Sequence, residues 1–216
     1  MPSTRGYEVF QFDELSEHAK ERAREWYREG ALDYEWWDYV YDDFTTVATA
    51  LGFEIEERTR GKRSERCIWF SGFCSQGDGA CFEGVWRAEN CRLEKLAEYL
   101  GDLSQHPDRK FVQIAQGLWE FAQAHPTYHA TIKHTGHYHH SHSVSFNVEE
   151  CRETEEGEED IATLESEEDF SDLARDLMNW LYRSLESEHD YQLSDDVVDE
   201  TIRINEYTFT EDGYRD

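Results

Sequence analysis

Residues 67–86 read CIWFSGFCSQGDGACFEGVW. Trp69, Phe70, Phe73, Phe82, Val85 and Trp86 are residue types that favour strands. They flank Gln76-Gly77-Asp78-Gly79, where glycine adopts positive φ without steric cost and Asp-Gly is a strong reversal signal. The pattern predicts a hairpin with strands near 66–74 and 79–88. Side chains alternate across a strand, so Ile68, Phe70 and Gly72 face one side and Trp69, Ser71 and Phe73 the other. Each face carries an aromatic, which predicts a central hairpin covered at least in part on both sides. A glycine-rich loop can instead cradle phosphate, usually with a helix start or a lysine beside it. Here Asp78 occupies the loop and no lysine follows, so a plain turn is the reading.

Upstream, residues 6–12 alternate as a short strand. Ser16 is placed to cap a helix carrying Ala19, Ala23, Trp26 and Tyr27, with Gly30 as its stop. A second helix is expected over about 34–51, with Trp36 or Trp37, Val40, Phe44, Val47 and Leu51 as its apolar stripe. Its other face shows Asp38, Asp42 and Asp43. The crowded aromatics of YEWWDYVYDDF at this spacing point to core more than to a ligand-stacking surface. Phe53–Glu56 alternates and opens a strand ending near Arg58. The basic segment with Arg60, Lys62, Arg63 and Arg66 is read as a solvated hairpin loop.

Downstream, Leu93, Leu96, Leu100 and Leu103 mark one helix. Phe111, Ile114, Ala115, Leu118, Trp119 and Ala122 mark another that stops before Pro126. A second hairpin follows, with Tyr128, Ala130 and Ile132 on one arm, Val144, Phe146 and Val148 on the other, and a reversal near Thr135-Gly136. Residues 149–172 hold thirteen carboxylates and one arginine, which predicts an exposed acidic loop over 149–169. A long helix carries Phe170, Leu173, Leu177, Trp180, Leu181 and Leu185. Ser194 can cap a last helix with Val197, Val198 and Ile202, and a brief strand and turn end the chain. The expectation is an α+β fold in a single domain, 1–216: an antiparallel sheet with the hairpin near its middle and helices packed mainly on one face.

Lys and Arg number 21 against 49 Asp and Glu in 216 residues, a net charge of −28. Such a charge keeps a protein soluble and repels nucleic acid and anionic membranes. Direct nucleic-acid binding is therefore not expected, and cationic partners are favoured. No apolar run approaches the roughly 20 residues of a membrane span. Five cysteines and no leader at Met1-Pro2-Ser3 suggest reduced thiols in a cytoplasm.

Six histidines, His129, His134, His137, His139, His140 and His142, are the most provocative cluster, since imidazoles bind zinc, nickel and copper. Strand alternation puts His140 and His142 on one face and His137 and His139 on the other, so a single strand cannot focus them on one ion. Cys67, Cys74 and Cys81 recur every seven residues, which is not a zinc spacing; buried thiols are the plainer reading. No nucleophile signature is present, and no cofactor or catalytic residue is expected. Duplex DNA carries about one charge per 1.7 Å of axis, an array that carboxylates on a folded surface can imitate.

Four segments are similar to a family of small phage and prophage proteins: FDELSEHAKERAREWYR at 12–28, IWFSGFCSQGDGACFEG at 68–84, HTGHYHHS at 134–141 and INEYTFTEDGYR at 204–215. Proteins of that kind pass as hypothetical proteins or as antitoxins of toxin–antitoxin systems, and the resemblance brings no catalytic residue. Together with the charge it implies a non-enzymatic protein of the host-cell cytoplasm that binds a host defence complex with a basic surface, a CRISPR effector or restriction enzyme. The candidate contact residues are Asp38, Asp42, Asp43, Glu155, Glu156, Glu158, Glu159, Asp160, Glu167, Glu168 and Asp169. The alternatives are an antitoxin that neutralises a cationic toxin and a metal-dependent enzyme using the 134–142 histidines.

Overall fold

A computed structural model describes residues 8–61, 63–150, 160–161 and 164–216. In chain order the elements are β1 (Phe10–Gln11), α1 (Glu17–Gly30), α2 (Asp38–Ala50), β2 (Leu51–Ile55), β3 (Glu57–Arg60), β4 (Arg63–Arg66), β5 (Ile68–Phe70), β6 (Ala80–Phe82), β7 (Gly84–Cys91), α3 (Leu93–Leu100), α4 (Arg109–Ala124), β8 (Tyr128–His134), β9 (Val144–Glu150), β10 (Asp160–Ile161), α5 (Leu164–Gln192), α6 (Asp195–Ile204) and β11 (Thr208–Phe209). The fold is α+β with antiparallel pairing throughout. The described residues group into two compact units, one drawn from residues up to Asp38 together with Leu185–Asp216, the other formed by Tyr39–Ser184. No described helix is long and apolar enough to cross a membrane.

In the discontinuous unit, Ser16 caps α1 by accepting the Ala19 N–H at 3.3 Å, and the helix ends at Gly30. Its inner face, Ala19 and Ala23, packs with Phe12, Leu15, Val198, Ile202 and Phe209. β1 pairs with β11, Phe10 opposite Phe209. Arg24 donates to both oxygens of Asp199 at 2.7 and 2.9 Å, joining α1 to α6. The turn after β11 lies directly on α1: a Cβ on Gly213 would sit 2.1 Å from the Ala19 carbonyl oxygen.

The larger unit is built on a five-stranded sheet of order β10-β9-β8-β7-β2. Cross-strand rows alternate in burial. Trp86, Ala130 and Val148 form one buried row, and Ile132 and Phe146 extend it. Trp86 touches Phe121 of α4 at 5.8 Å and Phe170 of α5 at 4.7 Å, and its indole N–H donates to the Leu51 carbonyl at 2.9 Å. Helices thus cover this face, and burial of a side chain such as Phe170 contributes roughly 1.5–3 kcal/mol. The opposite face carries Arg87, Lys133, Ser145 and Asn147, all exposed.

The regular arms of the 67–86 hairpin, β5 and β6, are shorter than 66–74 and 79–88, and pair only with each other. The second arm runs on through Glu83 into β7, inside the main sheet. Residues 71–79 leave the ladder because Asp78 competes for it. Its carboxylate accepts the N–H groups of Cys74 and Ser75 at 2.9 and 2.7 Å, while Ser71 and Gly79 close the loop's base. Those amides are satisfied by the loop's own side chains, as in a turn. The basic segment forms the β3–β4 hairpin. Of the acidic loop expected over 149–169, residues 151–159 and 162–163 lie outside the described residues. Its described residues are not a loop: they belong to β9, β10 and the start of α5. Carboxylates suit that helix start, where the peptide dipoles leave positive charge.

Candidate functional site

Three strand pairs break at one place. The chain steps out of β2 at Glu56, between β4 and β5 at Cys67, and between β6 and β7 at Glu83. These three residues bond to one another in a closed ring. The Glu56 N–H donates to Glu83, Cys67 to Glu56 and Glu83 to Cys67, at 2.9, 2.7 and 2.9 Å. Their carboxylate and thiol atoms lie within 4.8 Å of one another. Glu83 is 4% exposed and accepts from the Arg58 guanidinium and from the His134 N–H at 3.2 Å. Lys133 bonds to Glu56 and stands 3.8 Å from Glu83. Arg58 also lies over the Trp69 ring at 5.7 Å.

The charges here are already matched. The bond from Lys133 holds the Glu56 carboxyl below its ordinary range and raises the Lys133 ammonium in turn. Burial pushes the Cys67 thiol up despite Arg58. Arg58 is raised by the fields of Cys67 and then Glu83; because Cys67 stays protonated at neutral pH, Glu83 and Glu56 are the charges it meets there. Glu56, Cys67 and Glu83 are the donor set near enough to hold a metal ion among the described residues. A cation would have to displace Lys133 and Arg58 and deprotonate a buried thiol. The arrangement works chemically as a neutralised polar knot that fixes where three strand pairs part.

The histidines divide into separate contacts. His134 and His139 lie 5.4 Å apart and both pack on Trp69, the His139 ring nearly parallel to it. His140 and His142 stack at 5.4 Å. His137 meets Tyr138, and His129 pairs with Glu149 at 3.0 Å. The loop that carries His137, His139, His140 and His142 is fastened to the end of the β5–β6 hairpin: a Cβ on Gly79 would come within 2.7 Å of the His140 ring, and Ser71 Oγ reaches the His139 carbonyl at 3.5 Å. Among the described residues no three of these histidines converge as metal ligands.

The acidic candidates fall on α2, on β10, at the start of α5 and in a segment outside the described residues. Asp38, Asp42 and Asp43 are exposed on α2. Asp42 is paired with Arg66, and Asp43 accepts the Tyr99 hydroxyl at 2.6 Å, which raises that phenol. Glu168 and Asp169 are exposed on the first turns of α5, and Glu167 is half-buried beside them. Glu155, Glu156, Glu158 and Glu159 lie outside the described residues. Asp160 contributes its backbone to β10, opposite Glu150.

The family model of a domain of unknown function, DUF8835, matches residues 36–195. The chain belongs to the DUF8835 family. No curated protein and no solved structure matches it. The DUF8835 span includes the Glu56–Cys67–Glu83 knot, the histidine loop and every acidic candidate. The knot was missed in reading the sequence. Its signal was Glu83 itself, a single carboxylate inside the apolar run ACFEGVW, since a charge in such a place needs a cation brought to it.

Proposed function

We propose that this DUF8835 protein is a non-enzymatic, phage- or prophage-encoded acidic protein. It binds a host complex that handles nucleic acid, a CRISPR effector or a restriction enzyme, in the host cytoplasm and inhibits it by occupying a basic groove. The observation that carries this reading is where the charges go. Lys20, Arg24, Arg28, Arg58, Arg66, Lys133, Arg175 and Arg203 are all drawn into ion pairs with the protein's own carboxylates. With 49 acids to 21 bases, the acids left over face solvent, among them Asp38, Glu168 and Asp169. With many of its cations paired internally and acids in large excess, the surface presents a mostly negative field, which a groove built for phosphates would meet.

The test is affinity capture from host lysate followed by binding measurements with the recovered complex. The expected result is affinity that falls steeply between about 50 and 200 mM salt, as phosphate-like contacts do, and competition by duplex DNA. Replacing Asp38, Glu155, Glu156, Glu158, Glu159, Glu168 and Asp169 with their amides should weaken binding. Binding that ignores salt and persists with DNA bound overturns the reading. Recovery of a small basic toxin in place of a nucleic-acid enzyme replaces it with an antitoxin role.

A further inference from the structure

We propose a second binding site, for a small phosphate monoester bearing hydroxyls, of sugar-phosphate or mononucleotide size, in the pocket between β2, β7 and the start of α3. The site begins with a bulge. Leu51 pairs with Cys91 and Phe53 with Trp86, so one residue of β2 stands against four of β7. Residues 87–90 lose their pairing to β2, while Arg87 keeps its place opposite His129 of β8. Gly52 permits it: its φ is +91°, and a Cβ there would lie 2.7 Å from the Arg87 carbonyl oxygen and 3.1 Å from the Cys91 nitrogen. The displaced segment and the helix start enclose about 280 Å³, near the small end of ligand pockets.

Arg87, Arg92 and Lys95 line this pocket. Several of the chain's other cations pair with its own carboxylates. In this pocket, among the described residues, the side chains of Arg87 and Lys95 make no hydrogen bond or ion pair, and the Arg92 guanidinium donates only to the Cys91 carbonyl at 3.0 Å. Glu54 and Glu89 line the same pocket without pairing to them. Arg92 and Lys95 also stand at the wrong end of a helix. Arg92 precedes α3 and gives no side-chain cap, and Lys95 is in the first turn, where the peptide dipoles disfavour positive charge and the leading amides lack acceptors. Glu94 is the one carboxylate of that first turn and does not line the pocket, and an anion bound there would meet all three cations. Glu54, Glu89 and the Asn90 amide then supply hydrogen-bond partners for hydroxyls of the same ligand.

Titration calorimetry with inorganic phosphate, ribose 5-phosphate and adenosine 5′-monophosphate tests this on the full chain. Saturable binding is expected, tighter for the two esters than for phosphate. Arg87→Gln and Lys95→Gln should each weaken it about tenfold or more, the effect of one lost charge-assisted hydrogen bond. All these side chains are exposed, so the variants should melt like wild type; Lys110→Gln, on α4, should bind like wild type. No saturable binding, binding indifferent to Arg87→Gln and Lys95→Gln, or equal affinity for phosphate and its esters overturns the proposal.

Discussion

At the scale of single residues, His140 shows how a side chain that invites a metal reading can serve the fold. Its Nδ1 accepts the His142 N–H at 3.1 Å, so that nitrogen must be unprotonated. Burial, and then the neighbouring His142, hold its imidazole below the usual value of 6.5. The unfolded chain therefore takes up a proton that the folded one resists. Stability is full above about 6.5 and falls as pH drops from there toward the depressed folded value. His140→Asn keeps an acceptor near the same position and removes the titration. The expected outcome is a melting temperature that declines less than that of wild type between pH 7 and pH 5. Equal declines would place the acid sensitivity elsewhere. Strand alternation grouped His140 with His142, and the structure does stack that pair, but on a loop and 3-10 turn between β8 and β9 and not on a strand. The sequence could not show His139 against Trp69, because that contact joins residues distant in the chain.

At the scale of elements, what was legible was local. Ser16 and Gly30 bracket α1, the apolar spacing of 111–122 gives α4, and the alternation of 128–132 and 144–148 gives β8 and β9. Caps and periodicity are properties of neighbouring residues, and these elements follow from them. The knot at Glu56, Cys67 and Glu83 was illegible for the opposite reason: each break is minor alone and gains meaning only when three meet. Glycines divide the same way. Gly61 turns β3 into β4 at φ +67° with nothing near a Cβ, whereas Gly213 has φ +86° and the Ala19 carbonyl in the way. Gly61→Ala should cost about 1 kcal/mol of backbone strain. Gly213→Ala adds a collision with backbone and should cost about 3 kcal/mol. Urea unfolding of the two variants checks this, and equal losses would mean that the turn after β11 yields freely.

At the scale of the whole molecule, a charge of −28 acts on stability as well as on partners. Like charges oppose compaction, and salt that shortens the screening length from about 30 Å at 10 mM to about 8 Å at 150 mM relieves that repulsion. Exposed ion pairs contribute only about 0–1 kcal/mol each, so screening them loses less than is gained. The melting temperature should rise by a few degrees over that salt range, and a fall would show that internal pairing outweighs self-repulsion. The discontinuous unit carries a further consequence. Phe10 and Phe12 emerge from the ribosome long before Val198, Ile202 and Phe209, the side chains they finally meet. During translation the early segment must wait with its aromatic surface bare while the intervening residues are made. A polypeptide released before Phe209 would keep that surface uncovered and become a substrate for chaperones and proteases, so cells would accumulate whole molecules in preference to fragments.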